Sequence, residues 1–349
     1  MVSDTWAGNQ QLRLNVSDNL KLSDTCPRVY SQPEPTTDNR TPIFLSLPKN
    51  NMPYPIHKVA VIQAAPVLFQ IQATIEKMRK LVHEAAENGA KLVLFPETFV
   101  SCYPRGLSFG TVVGSRSKDG RATWLRYWES AIEVYSEETN AIGEIAKKYG
   151  VYLVTGVTEK TRNGGTLYCT TLYFDPQGQL VGKHRKIKPT AAERIIWGEG
   201  DGTDLDVYHT ELGKIGGLIC WENYMPHARI KLYEQGIEVY LAPTADSRDG
   251  WIATMRHIAL EGRCFVLGSN QFVTKDMYPQ DLPGLADLEQ QPDIMCRGGS
   301  LIVNPLGKIL AGPLFDKEGI LYADLDLADL IKSKLDFDVI GHYKFDKLG

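Results

Sequence analysis

Three short segments of this 349-residue chain carry side chains that could do chemistry together. In GKIGGLICWENYMP, residues 213–226, an apolar run spaced by glycines delivers Cys220 and breaks at once into Trp221, Glu222 and Asn223. A thiol is thereby predicted at the carboxyl end of a short strand, where open α/β sheets place their chemistry. As thiolate it can attack carbon, but a free thiol is mostly protonated at neutral pH and needs a base or a cation beside it. AKLVLFPETF, residues 90–99, is a second apolar strand, stopped at Pro96 and presenting the carboxyl group of Glu97. VGKHRKIKPT, residues 181–190, places Lys183, His184, Arg185, Lys186 and Lys188 after a strand-like segment at 166–175. Singly, each has an ordinary explanation: cysteines are mostly buried and inert, acids at strand ends are solvated, and basic runs face water. Together they supply a nucleophile, an acid and a cation, each at a strand end.

The elements that must position them alternate from Lys58 onward. KVAVIQAA reads as a strand, and Ile71, Ile75, Met78, Val82 and Ala85 then recur at helical spacing, ending before Gly89 at a C′ position. A second helix is expected over 123–148, stopped by Gly150 before the strand VYLVTGV. Further strands are expected near 166–174, 213–220, 238–242, 264–270, 299–303 and 319–325, with helices near 226–236 and 248–261. Strands separated by helices imply a layered α/β fold; periodicity alone does not say how many sheets there are. Residues 1–53, rich in Ser, Asn, Asp, Thr and Pro, read as a flexible leader, and residues 54–349 as the catalytic domain.

Composition sets bounds. Hydrophobic residues at 43% and charged residues at 23% are ordinary for a soluble globular protein. A net charge of −4 and a pI near 6.0 argue against nucleic acid or an anionic membrane as partner. The six cysteines, at 26, 102, 169, 220, 264 and 296, show no Cys-x-x-Cys pair and no zinc spacing, so neither a metal nor a disulfide framework is expected. With no membrane-length apolar run and no secretory signal, a soluble, cytoplasmic protein is expected.

The order and spacing of Glu97, Lys186 and Cys220 resemble the Glu-Lys-Cys set of the nitrilase, or carbon–nitrogen hydrolase, superfamily, and the likeness runs from about Lys58 to Tyr343. Cys220-Trp221-Glu222 resembles the nitrilase branch. Tyr103-Pro104-Arg105-Gly106, TLYCTTLYF (166–174), APTADSRDGW (242–251), HIALEGRCFVLGSNQF (257–272) and FDVIGHY (337–343) look like plant-type nitrilases, including the group acting on β-cyanoalanine. The resemblance implies an α-β-β-α sandwich whose protomers pair as α-β-β-α-α-β-β-α dimers, extending in some relatives to helical filaments. It implies no cofactor and no metal, and hydrolysis of a small organic nitrile to the carboxylic acid and ammonia through a thioimidate and an acyl-enzyme, with amide as by-product. Spacing leaves Lys183, Lys186 and Lys188 open; the family pattern selects Lys186.

On that pattern Cys220 is the nucleophile, Glu97 the base, and Lys186 the charge opposite the developing anion, helped by the backbone N–H of Trp221. Glu193 matches the family's second glutamate, with helix capping as the competing explanation. Glu222 reads as a supporting or interface residue, His257 as a packing or hydrogen-bonding residue, Cys169 and Cys264 as core, and Cys102 as a candidate lining residue. The alternatives are an amidase or carbamoylase of the same superfamily, disfavoured by Trp221, and a catalytically silent binding or scaffold relative, disfavoured by the intact set. Departures from the plant pattern at Thr98, Phe99, residues 107–110 and Tyr224 leave the nitrile open. A homodimer or larger homo-oligomer is expected, with residues 224–233 as the pairing surface.

Overall fold

Alternate residues of the central strands face two different apolar interiors, and this builds the molecule in four layers. Along the strand Ile56–Gln63, Val59 and Val61 join one buried cluster while Ala60 and Ile62 join another. Val239 and Leu241 of the strand Val239–Pro243 share the cluster of Val59 and Val61, whereas Tyr240 and Ala242 face a third. The shared cluster is the seam between two sheets. The outer clusters hold helices: Ile71–Glu87 and Glu137–Tyr149 cover one sheet, and Pro226–Glu234 and Asp249–Gly262 the other. The computed structural model describes residues 54–345, so the expected leader of residues 1–53 lies outside the described residues.

The first sheet runs in the order Gly319–Asp326, Ile56–Gln63, Leu92–Leu94, Tyr152–Lys160, Leu167–Phe174, Leu180–Arg185. The second runs Phe272–Thr274, Ile294–Val303, Phe265–Ser269, Val239–Pro243, Gly213–Gly217, Tyr208–Thr210, with Ile309–Phe315 also paired to Ile294–Val303. Both have parallel centres and antiparallel flanks. The expected face of the first helix is the buried one, with Ile75, Met78, Val82 and Ala85 inside.

Two expectations need correction. The helix expected over 123–148 is two helices, Lys118–Glu129 and Glu137–Tyr149. Between them Ile132 returns to the sheet, its N–H donating to the Thr158 carbonyl at 3.0 Å, and Ser136 caps the second helix by accepting from Thr139 N at 3.4 Å. The strand that delivers Lys186 is also not the one at 166–175. Leu180–Arg185 is a strand of its own, paired antiparallel with Leu167–Phe174, so the basic run is sheet as far as Arg185.

Candidate active site

Glu97 is fixed by a backbone turn that only glycine permits beside it. After the buried strand Leu92–Leu94, Phe95 N donates to the Val154 carbonyl at 2.8 Å and Gly156 N donates to the Pro96 carbonyl at 3.1 Å. A Cβ on Gly156 would collide with the backbone of Pro96 and Thr98, so the turn could not close on any other residue. Thr98 takes a φ of +45°, and Gln271 Nε2 donates to the Glu97 carbonyl at 2.7 Å. The carboxylate ends fully buried.

Lys186 follows the strand Leu180–Arg185, and its N–H donates to the Cys169 carbonyl at 2.8 Å. Its Nζ lies 2.7 Å from Glu97 Oε1 and 2.7 Å from Glu193 Oε2. Lys183 pairs instead with Glu159 at 2.7 Å, and Lys188 is exposed beside Glu199. Of the three lysines left open by spacing, only Lys186 enters the site. Glu193 lies in the 3₁₀ turn Ala191–Ile195. It accepts from Thr190 N at 2.6 Å as part of a capping box and holds the lysine, while Tyr103 donates to its other oxygen at 2.7 Å.

Cys220 comes from the second sheet, three residues beyond the strand Gly213–Gly217. Gly217 sits where a side chain would strike the Leu241 carbonyl, so the strand can approach its neighbour closely. Cys220 opens the 3₁₀ turn Cys220–Tyr224 with a φ of +50°, a left-handed conformation that costs a non-glycine residue about 1–3 kcal/mol. The turn is over-determined: Asn223 Nδ2 donates to the carbonyls of Leu218 at 3.0 Å and Cys220 at 2.7 Å, and Tyr240 holds Asn223 Oδ1 at 2.8 Å. Glu222, fully buried, accepts from Ile219 N at 2.7 Å, from Ile187 N, and from His184 Nε2 at 3.1 Å, tying the turn of Cys220 to the segment of Lys186.

The thiol reaches the wall of a cavity of about 340 Å³, lined also by Tyr103, Arg105, Glu193, Trp221, Asp246 and Arg248. Thr244 Oγ1 accepts from Asp246 N at 2.9 Å, so its proton goes to Cys220 Sγ, 3.2 Å away. Trp221 Nε1 donates to Asp246 Oδ2 at 2.8 Å, and the Arg248 guanidinium lies over the Trp221 ring at 4.6 Å. Glu97 and Lys186 lie behind this wall, fully buried.

Burial and the nearby Glu97 carboxylate push the Cys220 thiol up to about 12, with Lys186 and Thr244 pulling the other way. Burial also raises the Glu97 carboxyl above its ordinary range against the pull of Lys186. Burial alone would discharge Lys186, but Glu97 and Cys220 hold it well above the usual lysine value. At rest the site thus holds a neutral thiol near the buried Lys186 ammonium and the Glu97 carboxyl group. Glu97 Oε2 is buried with no hydrogen-bond partner among the described residues.

A profile of the carbon–nitrogen hydrolase family matches residues 58–334. The chain belongs to the carbon–nitrogen hydrolases. It is 50% identical to a bifunctional nitrilase/nitrile hydratase, NIT4B, of Nicotiana tabacum over 311 residues, covering 87% of this chain and 88% of that one. It is also 50% identical to an aliphatic nitrilase of Sinorhizobium fredii, covering 82% of this chain and 92% of that one. Among solved structures, Nit3 of Saccharomyces cerevisiae, a branch 10 member of the nitrilase superfamily, superposes with a TM-score of 0.63 at 21% identity, covering 83% of this chain and 97% of that one. This carbon–nitrogen hydrolase accordingly has the nitrilase-superfamily fold expected from its sequence.

Sequence reasoning missed several residues of the site. Tyr103, Thr244, Asp246 and Arg248 lay inside stretches noted for their likeness, but nothing local marked them as neighbours of the thiol. Cys169 is buried as expected, yet its thiol also donates to Glu97 Oε1 at 3.4 Å. Cys102 packs in the apolar cluster with Tyr127 and Trp197 rather than on the cavity wall. His257 is largely exposed, 3.7 Å from Glu261, and takes no part in the site. Among the described residues no group of His, Cys, Asp or Glu is arranged to hold a metal, and no helix is long and apolar enough to cross a membrane.

Proposed function

We infer that the protein is a nitrilase, converting a nitrile and two waters to a carboxylic acid and ammonia. The observation that carries this reading is Cys220, held at positive φ on a cavity wall and coupled to a buried Glu97–Lys186 pair, in a chain half identical to proteins named nitrilases. As Sγ attacks the nitrile carbon, its proton passes to Glu97 and from there to the nitrile nitrogen, giving a thioimidate. Water, deprotonated by Glu97, adds to that carbon, and expulsion of ammonia leaves a thioester. A second water releases the acid and returns the proton to sulfur. If the tetrahedral intermediate expels the thiol instead, the product is the amide. Lys186, charged throughout, offsets the negative charge that builds in the tetrahedral states, together with the Trp221 N–H. Glu193 and Tyr103 keep the ammonium in place.

Purified protein should release ammonia from nitriles, with some amide, and leave the corresponding amides untouched. Ammonia from amides alone would make it an amidase, and silence on both panels a binding relative. We further propose a cytoplasmic homodimer or larger assembly, including helical filaments, pairing through residues 224–233. Tyr224 and Ile230 are exposed there. Light scattering across a concentration series checks this, and a fully active monomer would contradict it.

A further inference from the structure

Oε1 and Oε2 of Glu97 have unequal surroundings. Oε1 accepts from Lys186 Nζ at 2.7 Å and from Cys169 Sγ at 3.4 Å, whereas Oε2, equally buried, accepts from nothing among the described residues. A carboxylate with one strong donor can still swing about its terminal torsion, which is broad and roughly two-fold, and exchange its oxygens. A second donor on the same oxygen, from a different direction, removes that freedom. Cys169 is built to be that donor. It is fully buried within the strand Leu167–Phe174, and burial followed by the Glu97 charge raises its thiol well above the ordinary value, so it remains S–H and donates rather than ionising. Its carbonyl accepts the Lys186 N–H at 2.8 Å, so this one residue fixes the lysine through its backbone and the glutamate through its side chain. The next residue, Thr170, points to the opposite face and serves Glu159 at 2.8 Å.

We propose that Cys169 is a positioning residue for the base: its thiol pins Oε1 of Glu97 beside Lys186, leaving Oε2 as the oxygen that takes the Cys220 proton. The proposal rests on Glu97 being the base. Sγ itself touches no reacting atom, so its effect is on where and how readily Glu97 accepts a proton.

The test is the pH profile of kcat/KM for nitrile hydrolysis in wild type, Cys169→Ala, Cys169→Ser and Glu97→Gln, with melting curves for each. In Cys169→Ala the charged carboxylate loses a donor, so the acid limb should move to higher pH. kcat should also fall about five- to tenfold, the effect of one hydrogen bond, with KM little changed. Cys169→Ser keeps the shape and supplies a stronger donor, so it should restore the rate and place the limb at or below that of wild type. If the Ala variant fails to fold, the Ser variant alone decides, since a limb above wild type contradicts the proposal. An unmoved limb and rate in Cys169→Ala, or a Ser variant as impaired as Ala, overturns it while leaving Glu97 as base. A Glu97→Gln variant that retains the acid limb and the rate overturns both.

Discussion

Two clusters of the same residue types lie on opposite faces of the Leu167–Phe174 and Leu180–Arg185 hairpin, and they are wired in opposite ways. On one face a single carboxylate, Glu159, sits between two cations: Lys183 and Arg185 both reach Oε1, at 2.7 and 2.6 Å, and Arg185 Nε and Thr170 reach Oε2 at 2.9 and 2.8 Å. On the other a single cation, Lys186, sits between two carboxylates, and one oxygen of Glu97 is without a partner among the described residues. The consequence is a divergence in proton affinity. Burial opposes charge on Glu159, but Arg185 and Lys183 outweigh it and hold the carboxyl below its ordinary value. For Glu97 burial prevails over Lys186 and the carboxyl is raised. A saturated cluster holds strands together; the under-coordinated one, in the mechanism we propose, keeps a base available for a proton, as reactive sites require.

The comparison breaks most visibly in activity. Glu97→Gln and Lys186→Ala should each lower kcat/KM by about 10²–10⁴-fold. In the proposed mechanism the two groups act as one unit with the thiol, so the double variant should be little worse than the poorer single one. Initial-rate assays showing cleanly multiplied losses would mean the groups act independently.

His184, between the two clusters on the same strand, sharpens the contrast with a stability effect. Burial would lower it, but Glu222 at 3.1 Å and Asp204 at 2.9 Å raise it from an ordinary 6.5 to about 9. A group raised on folding contributes stability that is complete below pH 6.5 and lost as pH rises through about 9. The stability lost in His184→Gln, read from denaturant melts, should therefore be largest near pH 6, of the order of 3 kcal/mol at most, and shrink near pH 10. A deficit independent of pH would assign the loss to packing.

The smallest effect belongs to the saturated cluster. Glu159→Gln should destabilise the fold by about 2 kcal/mol, since its cations are partly exposed and can rehydrate, and leave kcat/KM within about twofold. Denaturant melts and initial rates check both halves, and a large activity loss with a normal melt would move Glu159 into the catalytic machinery.

What the sequence made legible follows from how local each signal is. Pro96 and the glycines of GKIGG mark strand ends without any tertiary information, and Glu97 and Cys220 are found where those marks put them. The identity of the lysine was not legible from spacing, because Lys183, Lys186 and Lys188 belong to one run whose uniform charge hides both its pleat and the strand end at Arg185. Nor was the second sheet: a strand apolar on both faces reads the same whether its far side meets a helix or another sheet, as Val59 and Ala60 do in turn. Thr244 and Cys169 were invisible as site residues because their partners, Cys220 and Glu97, lie 24 and 72 positions away. The break in the helix expected over 123–148 was marked, by Ser136 with two glutamates after it, a cap followed by an acidic first turn.

The claim beneath all of this is that Cys220 forms a covalent bond to the substrate's nitrile carbon with Glu97 taking the thiol proton. Rapid quenching of the enzyme with excess nitrile, followed by intact and peptide mass spectrometry, measures it directly. Wild type should carry the added mass of the thioimidate or acyl group on the Cys220 peptide, Glu97→Gln should accumulate it far more slowly, and Cys220→Ala should show neither adduct nor ammonia while melting normally. An adduct on another residue, or ammonia released by Cys220→Ala at the wild-type rate, would contradict the account.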